Sequence, residues 1–286
     1  MAVVGLEMMK APIQLLASKS KRPLAVAVGL IALVAAAQTP APADEEVPSV
    51  QNLARVLERD YHLTPRKIAE YVTFLGLNVY TRRARLVRWH EGTLAFAVLT
   101  KGVAPSLLNA FKSNMDKTTA KARLGATYCI DELPVSDSQL REIPSCLTKA
   151  YDVMVFIDGS PEPSPDILRS LAIRTATEPG KDFWNKYAGH PSQPTAFCDG
   201  HVSIGSTDIT ASDAYFRVVQ EGATNLGWVN VCSNVLPFII LGQMPIRKSA
   251  SEQTFVSELL ELNYSPELRP GMELEDILKI LDQQSL

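Results

Sequence analysis

The stretch that decides the fold runs from Tyr151 to Ile157 and reads YDVMVFI, and Asp158-Gly159 closes it. It is nearly apolar throughout and lacks the alternation of apolar and polar residues that marks a strand with one exposed face. A short apolar run that stops at a turn signal predicts a β-strand buried on both faces. The sequence therefore predicts a sheet with other elements packed against both of its sides.

A second strand and several helices are predicted on either side of this stretch. Thr93 to Thr100 is rich in apolar and β-forming residues and stops at Lys101-Gly102, which indicates a strand. Thr64-Pro65 offers an N-cap and a first-turn proline for a helix, and Gly76 suits the end of that helix. Apolar residues at helical spacing or a helix-like composition predict further helices at residues 50–60, 103–123, 251–263 and 274–283.

Three segments in the second half of the chain have weaker patterns. Phe183 to Gly205 is rich in glycine, proline and polar residues and offers only short strand candidates, whereas Ala211 to Glu221 is predicted to be a helix. Val229 to Leu241 is the most apolar internal segment and belongs in the core, although Pro237 is expected to interrupt a regular helix there. Because strands and helices do not alternate strictly, the fold class is predicted to be α+β, a single mixed domain with a small sheet flanked by helices.

The first 43 residues have the order of an export signal. A basic stretch ending in Arg22 precedes an apolar run from Leu24 to Ala37, and small-residue cleavage sites follow at residues 35–37 and 41–43. The apolar run is shorter than the roughly 20 residues that span a bilayer, which favours a signal peptide over an anchor. We expect residues 44–286 to form an exported, periplasmic domain, with an uncleaved inner-membrane anchor as the alternative.

The exported part is acidic. The 286-residue chain has a formal net charge of −3, and residues 1–43 hold four basic side chains and one acidic one, so the remainder carries about −6. Such a charge argues against binding to nucleic acid or to anionic lipid through bulk electrostatics. A membrane contact is expected only through an uncleaved N-terminal segment.

All four cysteines lie in the exported part, where an oxidising compartment would let them pair. Sequence proximity favours Cys129 with Cys146 and Cys198 with Cys232, and buried free thiols are the alternative. A zinc site is disfavoured because the chain has no close Cys-x-x-Cys pair and no paired spacing among its four histidines. No metal and no cofactor are predicted.

Two groups of residues could carry chemistry. His201 lies near Asp199 and Ser203 in a polar segment predicted to be a loop, and a base, an acid and a hydroxyl are the groups that nucleophilic hydrolysis requires. An ordinary turn beside a disulfide is the alternative. The second group could bind a carboxylate or phosphate in a bidentate way, and a solvated charged edge is its alternative. Its members are Arg82, Arg83, Arg85 and Arg88.

The C-terminal third resembles an exported bacterial family known as domain-of-unknown-function family 2927. Two segments carry the resemblance: residues 232–242, which begin Cys-Ser-Asn-Val-Leu-Pro and end Leu-Gly, and residues 262–272, which read LNYSPELRPGM. Family members look like they share a cysteine that is followed by a glutamate pair on a helix. This chain has Val235 and Leu236 where that pair would fall, and alkyl groups neither bind a metal nor move a proton.

The resemblance implies a peptidase-like α+β scaffold. It also implies that this chain is a degenerate member of the family, or pseudoenzyme, because it lacks the glutamate pair. We therefore expect a non-catalytic exported protein that binds or stabilises another cell-envelope component. Two alternatives remain: a periplasmic hydrolase using the segment Cys198 to Ser203, and a binder of an anionic ligand through the arginines Arg82 to Arg88.

Overall fold

The computed structural model contains one five-stranded mixed sheet. Its strands are β1 (Thr93–Lys101), β2 (Gly125–Glu132), β3 (Val153–Asp158), β4 (Ala196–Ile204) and β5 (Ile209–Val218). Their order is β2-β1-β3-β5-β4. Neighbouring strands are parallel, except that β4 runs antiparallel to β5 at one edge. The structure describes residues 48–74, 85–133, 144–160, 164–189, 196–205, 207–218, 223–242 and 250–282.

Eight α-helices and one short 3-10 helix, at Ser145–Thr148, accompany the sheet in these ranges. The fold is α+β, as the sequence predicts. The α-helices are α1 (Val50–Tyr61), α2 (Pro65–Phe74), α3 (Pro105–Lys121), α4 (Pro165–Arg174), α5 (Glu178–Ala188), α6 (Ala223–Ile240), α7 (Ala250–Asn263) and α8 (Leu274–Asp282).

Strand β3 is the central strand of the sheet and is buried along its whole length. Met154 and Phe156 pack in a cluster with Leu168 of α4 and Trp184 of α5. Burial of each such side chain contributes about 1.5–3 kcal/mol. The prediction from the apolar run, that both faces of this strand are buried, is therefore confirmed.

A second core lies among α1, α2, α7 and α8. It contains Leu57, Ile68, Leu259 and Ile277, which are all almost completely buried. At the start of α2, Thr64 Oγ1 accepts the Lys67 amide hydrogen bond at 3.2 Å, so the predicted N-cap is confirmed. Gly76, predicted to end this helix, lies outside the described residues.

Two segments differ from the prediction because tertiary pairing overrides the local pattern. The segment from Ala211, predicted as a helix, forms most of strand β5, which pairs with β3 on one side and with β4 on the other. The predicted loop from Cys198 to Ser203 is part of the edge strand β4, paired residue by residue with β5. The histidine and its neighbours thus stand on a strand, where alternate residues share a face.

Helix α6 continues through Pro237, which was expected to interrupt it. Proline has no amide hydrogen, so it cannot satisfy the carbonyl of the residue four positions earlier, Ser233. The side chain of Asn114 on α3 donates a hydrogen bond to that carbonyl at 3.1 Å. The partner helix therefore replaces the missing intrahelical bond.

Candidate functional site

The two central strands β1 and β3 meet at a topological switch point. The chain leaves β1 toward β2 at one edge, and it leaves β3 toward β5 and β4 at the other. In open sheets of this kind, ligands bind at the carboxyl ends of the strands where the connections diverge. Lys101 at the end of β1 is paired in register with Asp158 at the end of β3, so charged groups stand at this point.

Two glycines bring the ends of these strands together. A Cβ on Gly159 would lie 2.4 Å from the Gly102 carbonyl oxygen, and Gly102 has a φ of +60°. The Gly159 amide donates to the Lys101 carbonyl at 2.8 Å. A side chain would clash with the backbone at Gly159 and would be strained at Gly102.

The Asp158 carboxylate is the centre of a buried polar network. Its Oδ1 accepts from the Ser160 amide at 3.0 Å and from the Ser160 hydroxyl. Its Oδ2 accepts from Tyr215 at 3.0 Å and from Arg217 Nη1 at 2.8 Å. Burial, and then the Asp158 charge, raise the pKa of Tyr215. With four hydrogen bonds this carboxylate is fully satisfied, so the described side chains at the switch point form a structural network.

The three predicted hydrolase residues lie on one face of β4, because they occupy alternate positions of the strand. Asp199 accepts hydrogen bonds from Tyr187 and, at 3.2 Å, from Lys186, both on α5. Burial, and then Asp199, raise the pKa of Tyr187. Ser203 lies with its hydroxyl 3.2 Å from the Thr177 hydroxyl. Asp199 and Ser203 are thus each engaged with α5 or its N-cap.

His201 faces a different acid. Its Nδ1 lies 3.6 Å from Oδ2 of Asp213, its register partner on β5, and both atoms are buried without a hydrogen bond. The sequence indicated Asp199 because it is close along the chain. Asp213 could have been identified only from the pairing of β4 with β5. That pairing can be predicted only after both segments are assigned as strands.

The described members of the arginine group do not form one exposed surface. Arg85 pairs with Glu273 at 3.3 Å. Arg88 is buried, donates to the carbonyls of Asn263 and Ser265, and lies over the ring of Tyr264. Burial lowers the pKa of Arg88. Arg88 anchors the turn after α7, so it belongs neither to an exposed binding surface nor to a solvated charged edge. Arg82 and Arg83 lie outside the described residues.

A cleft lies at the amino ends of β1, β3 and β5, at the end of the sheet opposite to the switch point. Its volume is about 370 Å³, and its lining includes His90, Glu91, Asp152 and Asp208. His90 Nε2 lies 2.9 Å from Asp208 Oδ2. Among the described residues, no group of three histidine, cysteine, aspartate or glutamate side chains is placed to hold a metal ion.

All four cysteines are paired as sequence proximity predicts. Cys129 of β2 is bonded to Cys146 of the 3-10 helix, and Cys198 of β4 is bonded to Cys232 of α6. Disulfides persist in oxidising compartments, so these bonds indicate an exported environment. Within the described ranges no helix has both the length and the apolarity to cross a bilayer.

No family model, curated protein or solved structure matches this chain. The resemblance to the domain-of-unknown-function family therefore stays a prediction. Where the family would have its glutamate pair, Leu236 is completely buried on α6. One turn further along this helix, Ile239 lies against Gly200 of β4, where an added Cβ would be 2.4 Å from its Cγ2. Alkyl groups close the contact between α6 and the edge strand at this point.

Proposed function

We propose that the protein is a non-catalytic, exported, periplasmic protein that binds or stabilises another component of the cell envelope. The observation that carries this proposal is the separate engagement of Asp199 and Ser203. Hydrolysis by a nucleophile needs the hydroxyl, the base and the acid in one hydrogen-bonded chain. Here the acid bonds to α5, the hydroxyl bonds to Thr177, and neither bonds to His201.

Helix α6 supports the same proposal. A carboxylate pair on this helix would supply a metal ligand or a general base, whereas Val235 and Leu236 supply neither. Leu236 is completely buried, so its position is used for packing. A scaffold whose polar site is replaced by alkyl groups keeps its shape and its surfaces, which suffices for binding.

The test is native mass spectrometry of the chain extracted gently from its own envelope, combined with assays of ester and peptide hydrolysis on the purified chain. We expect a stoichiometric complex with a second envelope component and no turnover. A chain that is found only as a monomer, or that turns over a substrate and loses this activity on His201→Asn, would contradict the proposal. His90→Asn is the matched control, because that histidine is exposed and lines a cleft whose lining residues do not include His201.

A hydrolase is the second candidate, and one observation favours it. His201 and Asp213 face each other at 3.6 Å, and such contacts can be longer in the free protein than in a complex with substrate. Turnover of 4-nitrophenyl acetate that His201→Asn abolishes and His90→Asn leaves unchanged would establish it. Equal background rates for both variants would rule it out for this probe.

A further inference from the structure

The two ring nitrogens of His201 have different surroundings. Nδ1 is buried, lacks a hydrogen bond and faces Asp213 Oδ2, which is also buried and also lacks one. The exposed fraction is 13% for the His201 side chain and 5% for the Asp213 side chain. Buried polar atoms without partners are rare because each costs roughly 1–3 kcal/mol. The two atoms are complementary, because a ring N–H can donate a hydrogen bond to a carboxylate oxygen.

The surrounding residues hold the pair in place. The register of β4 and β5 sets the histidine directly opposite the aspartate, and the imidazole lies 6.1 Å from the ring of Phe183 on α5. On the other side, Oδ2 lies against Gly180 in the first turn of α5, where a Cβ would come within 2.7 Å of it. The amino end of a helix is a favourable place for a carboxylate. A ring rotation that closes about 0.6 Å would bring Nδ1 and Oδ2 to ordinary hydrogen-bond distance.

The second nitrogen, Nε2, is accessible. Nε2 makes no hydrogen bond to another described residue, and unlike Nδ1 it is not a buried atom without a partner. The remaining exposure of the side chain therefore includes this nitrogen. A neutral histidine that donates from Nδ1 to a carboxylate keeps a lone pair on Nε2, which is then a hydrogen-bond acceptor.

The neighbouring charges leave this pairing undisturbed. Asp199, the nearest acid along β4, is engaged by Lys186 and Tyr187. The charge of Asp213 also acts on Tyr151. Burial, and then Asp213, raise the pKa of Tyr151, while Arg174 lowers it. No described residue other than His201 forms an ion pair with Asp213.

We propose that Asp213 and His201 form a dyad that fixes the histidine tautomer, with Nδ1–H donated to the carboxylate. Nε2 is then a preset acceptor for a neutral O–H or N–H group of the bound component. The identity of that component rests on the proposed function, but the dyad itself is a property of the isolated protein.

The first experiment is nitrogen NMR of the full chain labelled with ¹⁵N-histidine. We expect a protonated Nδ1 and a bare Nε2 for His201 near neutral pH. Asp213→Ala, which removes the acceptor, should change this pattern, and Asp199→Ala, the matched control, should leave it unchanged. A wild-type His201 that carries its proton on Nε2, or a pattern that Asp213→Ala does not alter, would overturn the proposal. The wild-type spectrum decides even if the variant does not fold.

The second experiment tests the accessibility of Nε2 with diethyl pyrocarbonate, which modifies unprotonated histidine nitrogens. We expect a single adduct on Nε2 of His201, formed more slowly than the adduct on the exposed His90. Absence of a His201 adduct after complete reaction of His90 would overturn the proposal. Failure to recover an envelope partner would contradict the proposed function and leave both of these measurements intact.

Discussion

Arg217 on β5 donates a hydrogen bond to Asp158 at the end of β3, with 2.8 Å between Nη1 and Oδ2, and both side chains are almost completely buried. We expect Asp158→Asn to lower the free energy of unfolding by about 3–5 kcal/mol, because it leaves a buried guanidinium without its counter-charge. Urea denaturation measures this difference. The exposed pair Asp276 and Lys279 is the control, and Asp276→Asn should cost less than about 1 kcal/mol. Equal effects of the two substitutions would contradict the structural role of the network.

Removing the disulfides should lower stability unequally. Cys129 and Cys146 are 17 residues apart, whereas Cys198 and Cys232 are 34 apart. Each double alanine variant is expected to lose about 2–5 kcal/mol, and the longer loop should cost about 0.6 kcal/mol more by chain entropy. Chemical denaturation of both variants without reductant checks the order. A larger loss for Cys129→Ala with Cys146→Ala would show that packing outweighs loop length.

Gly180→Ala should strain the start of α5. The new Cβ would lie 2.0 Å from Thr175 Cγ2 and 2.7 Å from Asp213 Oδ2, so both side chains must move. We expect a loss of about 1–3 kcal/mol in the melting or urea transition. Gly189→Ala, at the other end of the same helix, is the control, because its Cβ would meet nothing closer than 3.4 Å. A change within about 0.5 kcal/mol for both variants would mean that the neighbouring side chains adjust freely.

The acid dependence of stability should depend in part on Glu267. Burial acts to raise its pKa, but hydrogen bonds from Ser265 and from backbone amides outweigh burial, and the pKa of Glu267 is lowered. A lowered pKa in the folded state contributes stability above the unfolded value of about 4.3, and this contribution is lost as the pH falls through the folded pKa. Glu267→Gln should therefore flatten the fall of the urea midpoint at acid pH. Ser265→Ala should flatten it in the same direction, and a steeper fall in either variant would contradict this sign.

The elements with strong local patterns were predictable from the sequence. The helix at 103–123 and the strand ending at Ile157 appear as α3 and β3 within about two residues, because periodicity and end signals are local. Strand β5 was not predictable in this way. Its small and polar residues suit a helix, and only its position between β3 and β4 makes it a strand. Strand β2 and helices α4 and α5 lacked a signal strong enough to be assigned.

The polar centres were less predictable, because their members come from distant parts of the chain. Asp158 and Arg217 are 59 residues apart, and no motif joins them until the order of the strands is known. The one usable signal was local: a charged residue directly before glycine at the end of an apolar strand, as in Lys101-Gly102 and Asp158-Gly159. Arg88 shows that closeness in sequence can also mislead. The arginines are neighbours along the chain and were interpreted as one surface, but Arg88 is buried.

The pairing of the cysteines has a consequence for biosynthesis. Each cysteine is bonded to the next one along the chain, first with second and third with fourth. A polypeptide that emerges from its amino end and is oxidised as it appears would join each cysteine to the only free thiol already present. The native bonds would then form in order of synthesis, and maturation would require an oxidant but no isomerase to rearrange wrong pairs.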